Sequence, residues 1–188
     1  MTEKKALLIV DVQRDFCEGG SLAVAGGAGV AKRITQYLDD NAGEYEVVVA
    51  TRDYHIDPGD HFSENPDFRD SWPPHCVVGT PGSDFHPDLD TRRVDAIFDK
   101  GQHSPAYSGF EGTSSTAEDL AGWLRSRGVE RVDIAGIATD YCVRATALDA
   151  LKEKFEVKVL ANLVAGVAPE TSEAALRELQ RAGVTVQS

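Results

Sequence analysis

The chain has 188 residues, 41% of them hydrophobic and 27% charged, which fits one globular domain spanning residues 1–188. A net charge of −12 makes nucleic acids and anionic membrane surfaces poor partners. No apolar run approaches the roughly 20 residues of a membrane span, and the N-terminus is too short in apolar residues for a signal-peptide core. Three cysteines without C-x-x-C spacing indicate a reducing compartment, so we predict a soluble, cytoplasmic protein.

Short apolar runs alternate with helical patterns along the chain. The runs, rich in β-branched residues, predict strands at Ala6–Val10, Glu46–Thr51, Val94–Phe98, Arg131–Ile137, Glu156–Leu160 and Val184–Val186. Apolar residues at helical spacing predict helices at Ala28–Leu38, Thr116–Arg127 (capped by Ser114 or Ser115), Cys142–Lys152 and Pro169–Ala182. This alternation predicts an α/β domain with a largely parallel sheet.

Three polar residues stand where predicted strands end. Asp11 and Lys100 follow the first and third strands closely, and Cys142 follows the fourth after a short link. Ligands bind at the carboxyl ends of parallel strands, so these side chains are candidates for one site. A cysteine that opens a helix meets free N–H groups and a positive dipole end, which favour the nucleophilic thiolate. Asp11 then suits proton transfer, and Lys100 adds a positive charge.

Each of the three residues also has an ordinary structural interpretation. Single cysteines are usually packing residues, strand-end aspartates usually shape turns, and lysines are usually solvated. Cys17 neither follows a strand nor opens a helix, so we interpret it as a loop or packing residue.

A long polar stretch from residue 52 to about residue 93 interrupts the alternation. Long loops without regular structure are uncommon and are often functional. Asp53 and His55 are two residues apart and face the same way on an extended chain, and turns near 57–59 and 73–74 can return His61 and His75 to them. One carboxylate and three imidazoles suit zinc, iron or manganese rather than calcium or magnesium.

The alternative for this loop is a set of solvent-facing histidines. Cys76 adjoins His75 and is a weaker alternative ligand, whereas His86 and His103 have no ligand-like neighbours.

Several motifs occur together in a fixed order: Ile9–Phe16, Glu18–Leu22, Asp53–His55, His61–Phe62, Ser71–Cys76, Lys100–Gly101, Tyr107–Phe110 and Gly136–Val143. In this order the chain resembles the nicotinamidase/pyrazinamidase family of the isochorismatase-like cysteine hydrolases, over nearly its whole length. The resemblance implies a Rossmann-like, mostly parallel six-stranded sheet with helices on both faces. It also implies hydrolysis of nicotinamide to nicotinate and ammonia in NAD salvage, with pyrazinamide as an alternative substrate.

The same resemblance implies roles for individual residues. The catalytic triad would be Asp11, Lys100 and Cys142, with a thioester on Cys142. The oxyanion hole would be the backbone N–H groups of Ala138 and Cys142, after a cis peptide at Ile137–Ala138. The aromatic residues around the substrate ring would be Phe16, Trp72 and Tyr107. One divalent metal ion, Zn²⁺ or Fe²⁺/Mn²⁺, would contact the pyridine nitrogen and be held by Asp53, His55, His61 and His75.

The resemblance assigns no role to residues 102–106 and leaves a homo-oligomer possible. Three alternatives belong beside it. The first is a metallohydrolase in which the metal activates water and Cys142 is structural. The second is a zinc-binding or scaffold domain without catalysis. The third is an isochorismatase-type or carbamoyl amidohydrolase, which generally lacks the Asp-His-His-His set, so that metal content discriminates.

Overall fold

A computed structural model describes residues 2–188 and contains a six-stranded sheet in the order β3-β2-β1-β4-β5-β6. Every neighbouring pair of strands is parallel, so the predicted sheet is confirmed. Parallel pairing brings the carboxyl ends of all strands to one edge. The strands are β1 (Lys5–Val10), β2 (Val47–Asp53), β3 (Ala96–Lys100), β4 (Arg131–Ile137), β5 (Glu156–Ala165) and β6 (Thr185–Gln187).

Helices cover both faces of this sheet, as predicted. Successive residues of a strand point to opposite faces, and β1 is apolar throughout. Leu7 packs in one buried cluster with Ile34, and Leu8 packs in a second cluster with Leu124 and Leu179. The helices are α1 (Gly27–Asn41) on the first face, and α2 (Leu120–Ser126), α3 (Arg144–Lys152) and α4 (Pro169–Ala182) on the second. None of the helices within residues 2–188 is both long enough and apolar enough to cross a membrane.

The second helix starts four residues later than predicted. Ala117 has a φ of +62°, which is incompatible with a continuous right-handed helix through residues 116–119. The Ser114 hydroxyl stabilises a turn there by accepting the N–H of Thr116, at 3.3 Å. Asp119, not Ser114 or Ser115, is the N-cap, and its carboxylate accepts the Gly122 N–H at 3.4 Å.

The segment before α3 also differs from the prediction. A π-helical turn, Thr139–Val143, precedes the helix, so that Cys142 lies inside this turn and does not open an α-helix. The peptide bond between Ile137 and Ala138, just before the turn, is cis, as the resemblance implied.

Residues 54–95 form the predicted long loop, interrupted by short 3₁₀ turns at Gly59–His61 and Pro81–Ser83. Single parallel bridges, His55 with Val77 and Phe62 with Trp72, order its backbone. The loop therefore has a defined path although it lacks regular structure.

Candidate active site

Four of the predicted site residues lie at or just after the ends of neighbouring strands. Asp11 follows β1, Asp53 and Lys100 end β2 and β3 and are paired in register, and Ala138 follows β4. The Lys100 Nζ donates to the Asp11 Oδ2 at 2.7 Å and also to the Asp53 Oδ1. It lies 3.9 Å from the Cys142 Sγ. The structure thus brings together all three residues of the predicted triad.

Lys100 is the centre of a buried group of charges. Burial disfavours the ammonium, but Asp11 and Asp53 outweigh this effect and raise the pKa of Lys100 well above its usual range. Burial also opposes ionisation of Asp53, but Lys100 outweighs it and holds the pKa of Asp53 well below its usual range. Burial raises the pKa of Asp11, against the pull of Lys100. Asp11 is therefore a stronger base than a solvated aspartate, while Lys100 and Asp53 stay charged.

The Cys142 thiol is not acidified in this arrangement. Burial raises its pKa well above the usual range, and the pull of Lys100 is opposed by the negative charges of Asp11 and Asp53. The expectation that Cys142 opens an α-helix is therefore wrong, because the residue lies inside the π-helical turn, and burial opposes the thiolate there. The thiol needs a base to become a nucleophile. Asp11, which accepts from the same Lys100 ammonium that contacts the thiol, is placed to be that base.

A free backbone donor lies beside the thiol. The Ala138 carbonyl accepts the N–H groups of Tyr141 and Val143 at 3.1 and 3.0 Å. The Ala138 N–H, in contrast, donates to no other residue within 2–188. Ala138 and Cys142 line the same pocket, so this N–H is available to an oxygen that gains charge there.

Three buried histidines form the second part of the site. His55, His61 and His75 each offer one ligand atom, and these atoms lie within 4.8 Å of one another. The Asp53 Oδ2 lies 3.4 Å from the His55 Nε2 and 3.8 Å from the His75 Nε2. The buried His55 Nε2 and His61 Nδ1 have no hydrogen-bond partner among residues 2–188, which is unusual for interior polar atoms. This nitrogen and oxygen donor set fits a divalent metal ion.

The tautomers of two of these histidines follow from their partners. The His55 Nδ1 lies 2.6 Å from the Gly101 carbonyl oxygen, and the His75 Nδ1 lies 2.8 Å from that of Pro73. A carbonyl only accepts, so each Nδ1 carries a proton, which leaves Nε2 as the ligand atom of the neutral tautomer. Burial lowers the pKa of His61 to about 4, which keeps His61 neutral.

Cys76, the weaker alternative ligand, does not join the histidine group. Burial raises the pKa of its thiol well above the usual range. Its backbone N–H donates to the Asp15 carboxylate at 2.8 Å, so Cys76 links two loops through its main chain.

An apolar pocket opens above the thiol and the histidines. The predicted aromatic residues Phe16, Trp72 and Tyr107 all line it, and the Trp72 Nε1 donates to the Tyr107 Oη at 3.3 Å. Sequence reasoning missed the other apolar wall residues, which are Leu22, Val24, Tyr141 and Val167. Aromatic faces around a small cavity suit a flat ring.

The isochorismatase domain family matches residues 5–188 of this sequence. The chain belongs to the isochorismatase family. It is 58% identical over 180 residues to the nicotinamidase/pyrazinamidase of Mycobacterium tuberculosis, with 96% of each chain covered.

Two solved structures resemble this isochorismatase-family chain in both sequence and fold. The pyrazinamidase of Pyrococcus horikoshii in complex with zinc has a TM-score of 0.83 and 44% identity, covering 98% of this chain and 99% of that one. PnC1 from L. infantum in complex with nicotinate has a TM-score of 0.85 and 36% identity, covering 98% and 92%. These relatives confirm the resemblance to nicotinamidases and pyrazinamidases.

Gln13 is a residue of this isochorismatase-family site that sequence reasoning missed. Its buried side chain holds the Asp53 main chain from both sides: the Nε2 donates to the Asp53 carbonyl at 2.8 Å, and the Oε1 accepts the Asp53 N–H at 2.9 Å. The Nε2 also donates to the Ser83 carbonyl at 2.9 Å. The available signal was its position two residues after Asp11, within a motif of the family.

Residues 102–106 now have a structural role. The Gln102 carbonyl accepts the N–H groups of Ile56 and Asp57 at 3.0 and 2.9 Å, which supports the chain beside His55. The Ala106 carbonyl lies 3.4 Å from the Lys100 Nζ and is a further acceptor for the buried ammonium.

Proposed function

We propose that this protein is an amidohydrolase that converts nicotinamide to nicotinate and ammonia, with pyrazinamide as an alternative substrate. The observation that carries the proposal is the Lys100 ammonium, which contacts both Asp11 and Asp53. This ammonium connects the thiol and its base to the aspartate and histidine side chains that suit a metal ion. The thiol and these metal-ligand residues face the same aromatic pocket. The names of the relatives, a nicotinamidase/pyrazinamidase and a pyrazinamidase, support this substrate class.

In the proposed reaction Asp11 takes the proton of the Cys142 thiol, and Lys100 stabilises the negative charges that result. The thiolate attacks the carboxamide carbon. The N–H groups of Ala138 and Cys142 donate to the oxygen as it gains charge. Asp11 then gives its proton to the departing ammonia, and a thioester on Cys142 remains. Asp11 next deprotonates a water molecule that attacks the thioester carbon. The carbon–sulfur bond breaks, Asp11 returns the proton to the Cys142 thiolate, and the acid product loses its proton to solvent and leaves as nicotinate.

Phe16, Trp72 and Tyr107 would hold the pyridine ring. Their side chains meet in the pocket above Cys142, and the hydrogen bond between Trp72 and Tyr107 fixes two of them relative to each other. A ring held by several faces presents its carboxamide in one orientation, which lowers the entropic cost of the attack.

Asp53, His55, His61 and His75 would hold one divalent metal ion, Zn²⁺ or Fe²⁺/Mn²⁺. The zinc complex of the Pyrococcus horikoshii pyrazinamidase supports this assignment. A bound ion would supply Lewis-acid chemistry, which would help to orient the ring and withdraw electron density from it. The Asp53 carboxylate would serve this site through Oδ2 while it accepts from Lys100 through Oδ1.

The direct test is ammonia release from nicotinamide by the wild type, Cys142→Ala and Cys17→Ala. Cys17 is a matched control because it is also a buried free cysteine but lies outside the pocket. We expect release by the wild type and Cys17→Ala, and none by Cys142→Ala with its metal content unchanged. Release by Cys142→Ala would contradict the thioester route. No release by the wild type with metal bound would contradict the proposed substrate.

We also propose a role in NAD salvage. The product, nicotinate, carries a free carboxylate in place of the amide and is a precursor of NAD. We propose that it acts in the cytoplasm and that residues 1–188 form one hydrolase domain. The family match over residues 5–188 supports the domain assignment.

A further inference from the structure

A buried threonine holds the carboxylate of Asp11. Thr51 lies inside β2, and its Oγ1 donates to the Asp11 Oδ1 at 2.8 Å. The Thr51 carbonyl also accepts the Asp11 N–H at 3.1 Å. Because Lys100, at the end of β3, occupies Oδ2, each oxygen of this carboxylate has a donor from a different strand. Thr51 is the neutral donor of the two.

Packing fixes the direction in which the Thr51 hydroxyl points. A β-branched side chain has few χ1 rotamers, so placing the methyl also places the hydroxyl. The Thr51 methyl is enclosed by Gly109, where an added Cβ would lie only 2.7 Å from the Thr51 Cγ2. The Gly109 N–H donates to the Thr146 Oγ1 at 3.0 Å, which anchors the backbone that encloses the methyl. The hydroxyl is thereby directed at Asp11.

The charges around Asp11 show why a neutral donor is useful. The charged or titratable groups with the strongest effect on it are Lys100, Asp53 and Cys142. Lys100 favours the Asp11 carboxylate but is shared with Asp53, whose negative charge opposes it. Full burial adds a further preference for the neutral acid. A hydrogen bond from a neutral hydroxyl favours the carboxylate without adding a charge that would need a counter-ion of its own.

We propose that Thr51 is a positioning residue that keeps Asp11 in its charged, proton-accepting form and oriented toward Cys142. This inference rests on the proposed function, in which Asp11 is the base. Thr51 acts only through Asp11 and does not line the substrate pocket.

The test replaces Thr51 by Val, which keeps the branched shape and removes the hydroxyl, and by Ser, which keeps the hydroxyl. The low-pH fall of kcat/KM for nicotinamide reports protonation of the base in the free enzyme. Loss of a donor to a carboxylate destabilises the charged form and raises its pKa. We expect the low-pH midpoint to move upward by about one pH unit in Thr51→Val and to return in Thr51→Ser.

A second readout needs no substrate. The ¹³C resonance of the Asp11 carboxyl group, assigned by its absence in Asp11→Asn, should titrate at a higher pH in Thr51→Val and near the wild-type value in Thr51→Ser. Thr35→Val is the matched control, because it also removes a threonine hydroxyl, but one that lies on α1 and donates to the Ala31 and Asp88 carbonyls rather than to Asp11. Its Asp11 midpoint should equal that of the wild type.

The outcomes separate the two hypotheses. An unchanged Asp11 midpoint in Thr51→Val would overturn the role of Thr51, even if activity fell, because the loss would then come from packing. The same shift in Thr35→Val would also overturn it. A wild type that releases no ammonia would contradict the proposed function, and the carbon resonance would still decide whether Thr51 keeps Asp11 charged.

Discussion

The site has two parts, the charged residues at the strand ends and the histidines of the long loop, and different kinds of structure position them. Asp11, Asp53 and Lys100 stand at the ends of adjacent parallel strands, where the backbone ladder and its register fix their positions. His61 and His75 stand in a long loop that regular hydrogen bonding does not organise. The strand ends need few additional contacts, whereas the loop depends on single polar contacts. Substitutions should therefore affect the two parts through different mechanisms.

Lys100 joins the two parts, and Lys100→Met should have the largest effect. It leaves the buried carboxylates of Asp11 and Asp53 without their shared cation. Removing one partner of a buried ion pair costs about 3–5 kcal/mol of stability. We expect ammonia release to fall by roughly 10³-fold, because the charge that stabilises the thiolate and its base is lost. Urea unfolding and ammonia release measure the two effects.

Lys152→Met is the control for Lys100→Met, since the Lys152 side chain is 80% exposed at the end of α3. It should change neither stability nor turnover. Turnover close to the wild-type rate in a folded Lys100→Met protein would mean that the two parts of the site work without a common charge.

Gln13→Leu tests how the carboxylate of the metal group is held. It removes three buried hydrogen bonds, two to the main chain of Asp53 and one to Ser83. Residues that orient metal ligands typically change metal affinity by about 10–100-fold, and we expect zinc affinity to fall in that range. Competition with a chromophoric chelator gives the affinity directly.

Gln36→Leu is the comparison for Gln13→Leu, because its amide donates to Asp40 on the surface of α1, away from the site. Equal zinc affinities in these two variants would show that the end of β2 is rigid without Gln13. The end of β2 would then hold the Asp53 carboxylate in place without help from Gln13.

Local signals predicted those parts of the fold that have strong boundary residues. The bounds of α4 agree with the prediction because Pro169 favours the first helical turn and Gly183, at a φ of +111°, ends it. The start of α2 was wrong because Ser114 and Asp119 are both good caps, and the turn at Ala117 decides between them. The π-helical turn around Cys142 has no signature in hydrophobic spacing.

Local signals also determined which residues of the candidate site could be predicted. Asp11 and Lys100 could be found because a strand end is a local feature of the sequence. The roles of Gln13 and Thr51 could not be predicted, because each acts through hydrogen bonds to residues 40 positions away along the chain. The raised pKa of Cys142 was also inaccessible, since it depends on burial and on charges supplied by other strands.

The smallest expected effect comes from Gly101→Ala, and a second glycine makes it measurable. Gly101 and Gly79 both have positive φ values, +76° and +83°, so alanine at either position costs about 1 kcal/mol of backbone strain. A Cβ at Gly79 meets nothing within 4 Å, whereas one at Gly101 lies 2.7 Å from the His55 Cε1. The pair therefore separates backbone strain from displacement of the His55 ring.

We expect both alanine variants to lose stability in urea, with the larger loss in Gly101→Ala because its Cβ also displaces the buried His55 ring, and Gly101→Ala alone to bind zinc a few-fold more weakly. The ring of His55 is oriented by its Nδ1–H bond to the Gly101 carbonyl, so pushing the ring aside turns its Nε2 away from Asp53. Equal zinc affinities in the two variants would contradict this. In that case the loop around His55 would adjust as readily as the surface turn at Gly79. The bound zinc ion, rather than the backbone, would then determine the geometry of the histidine group.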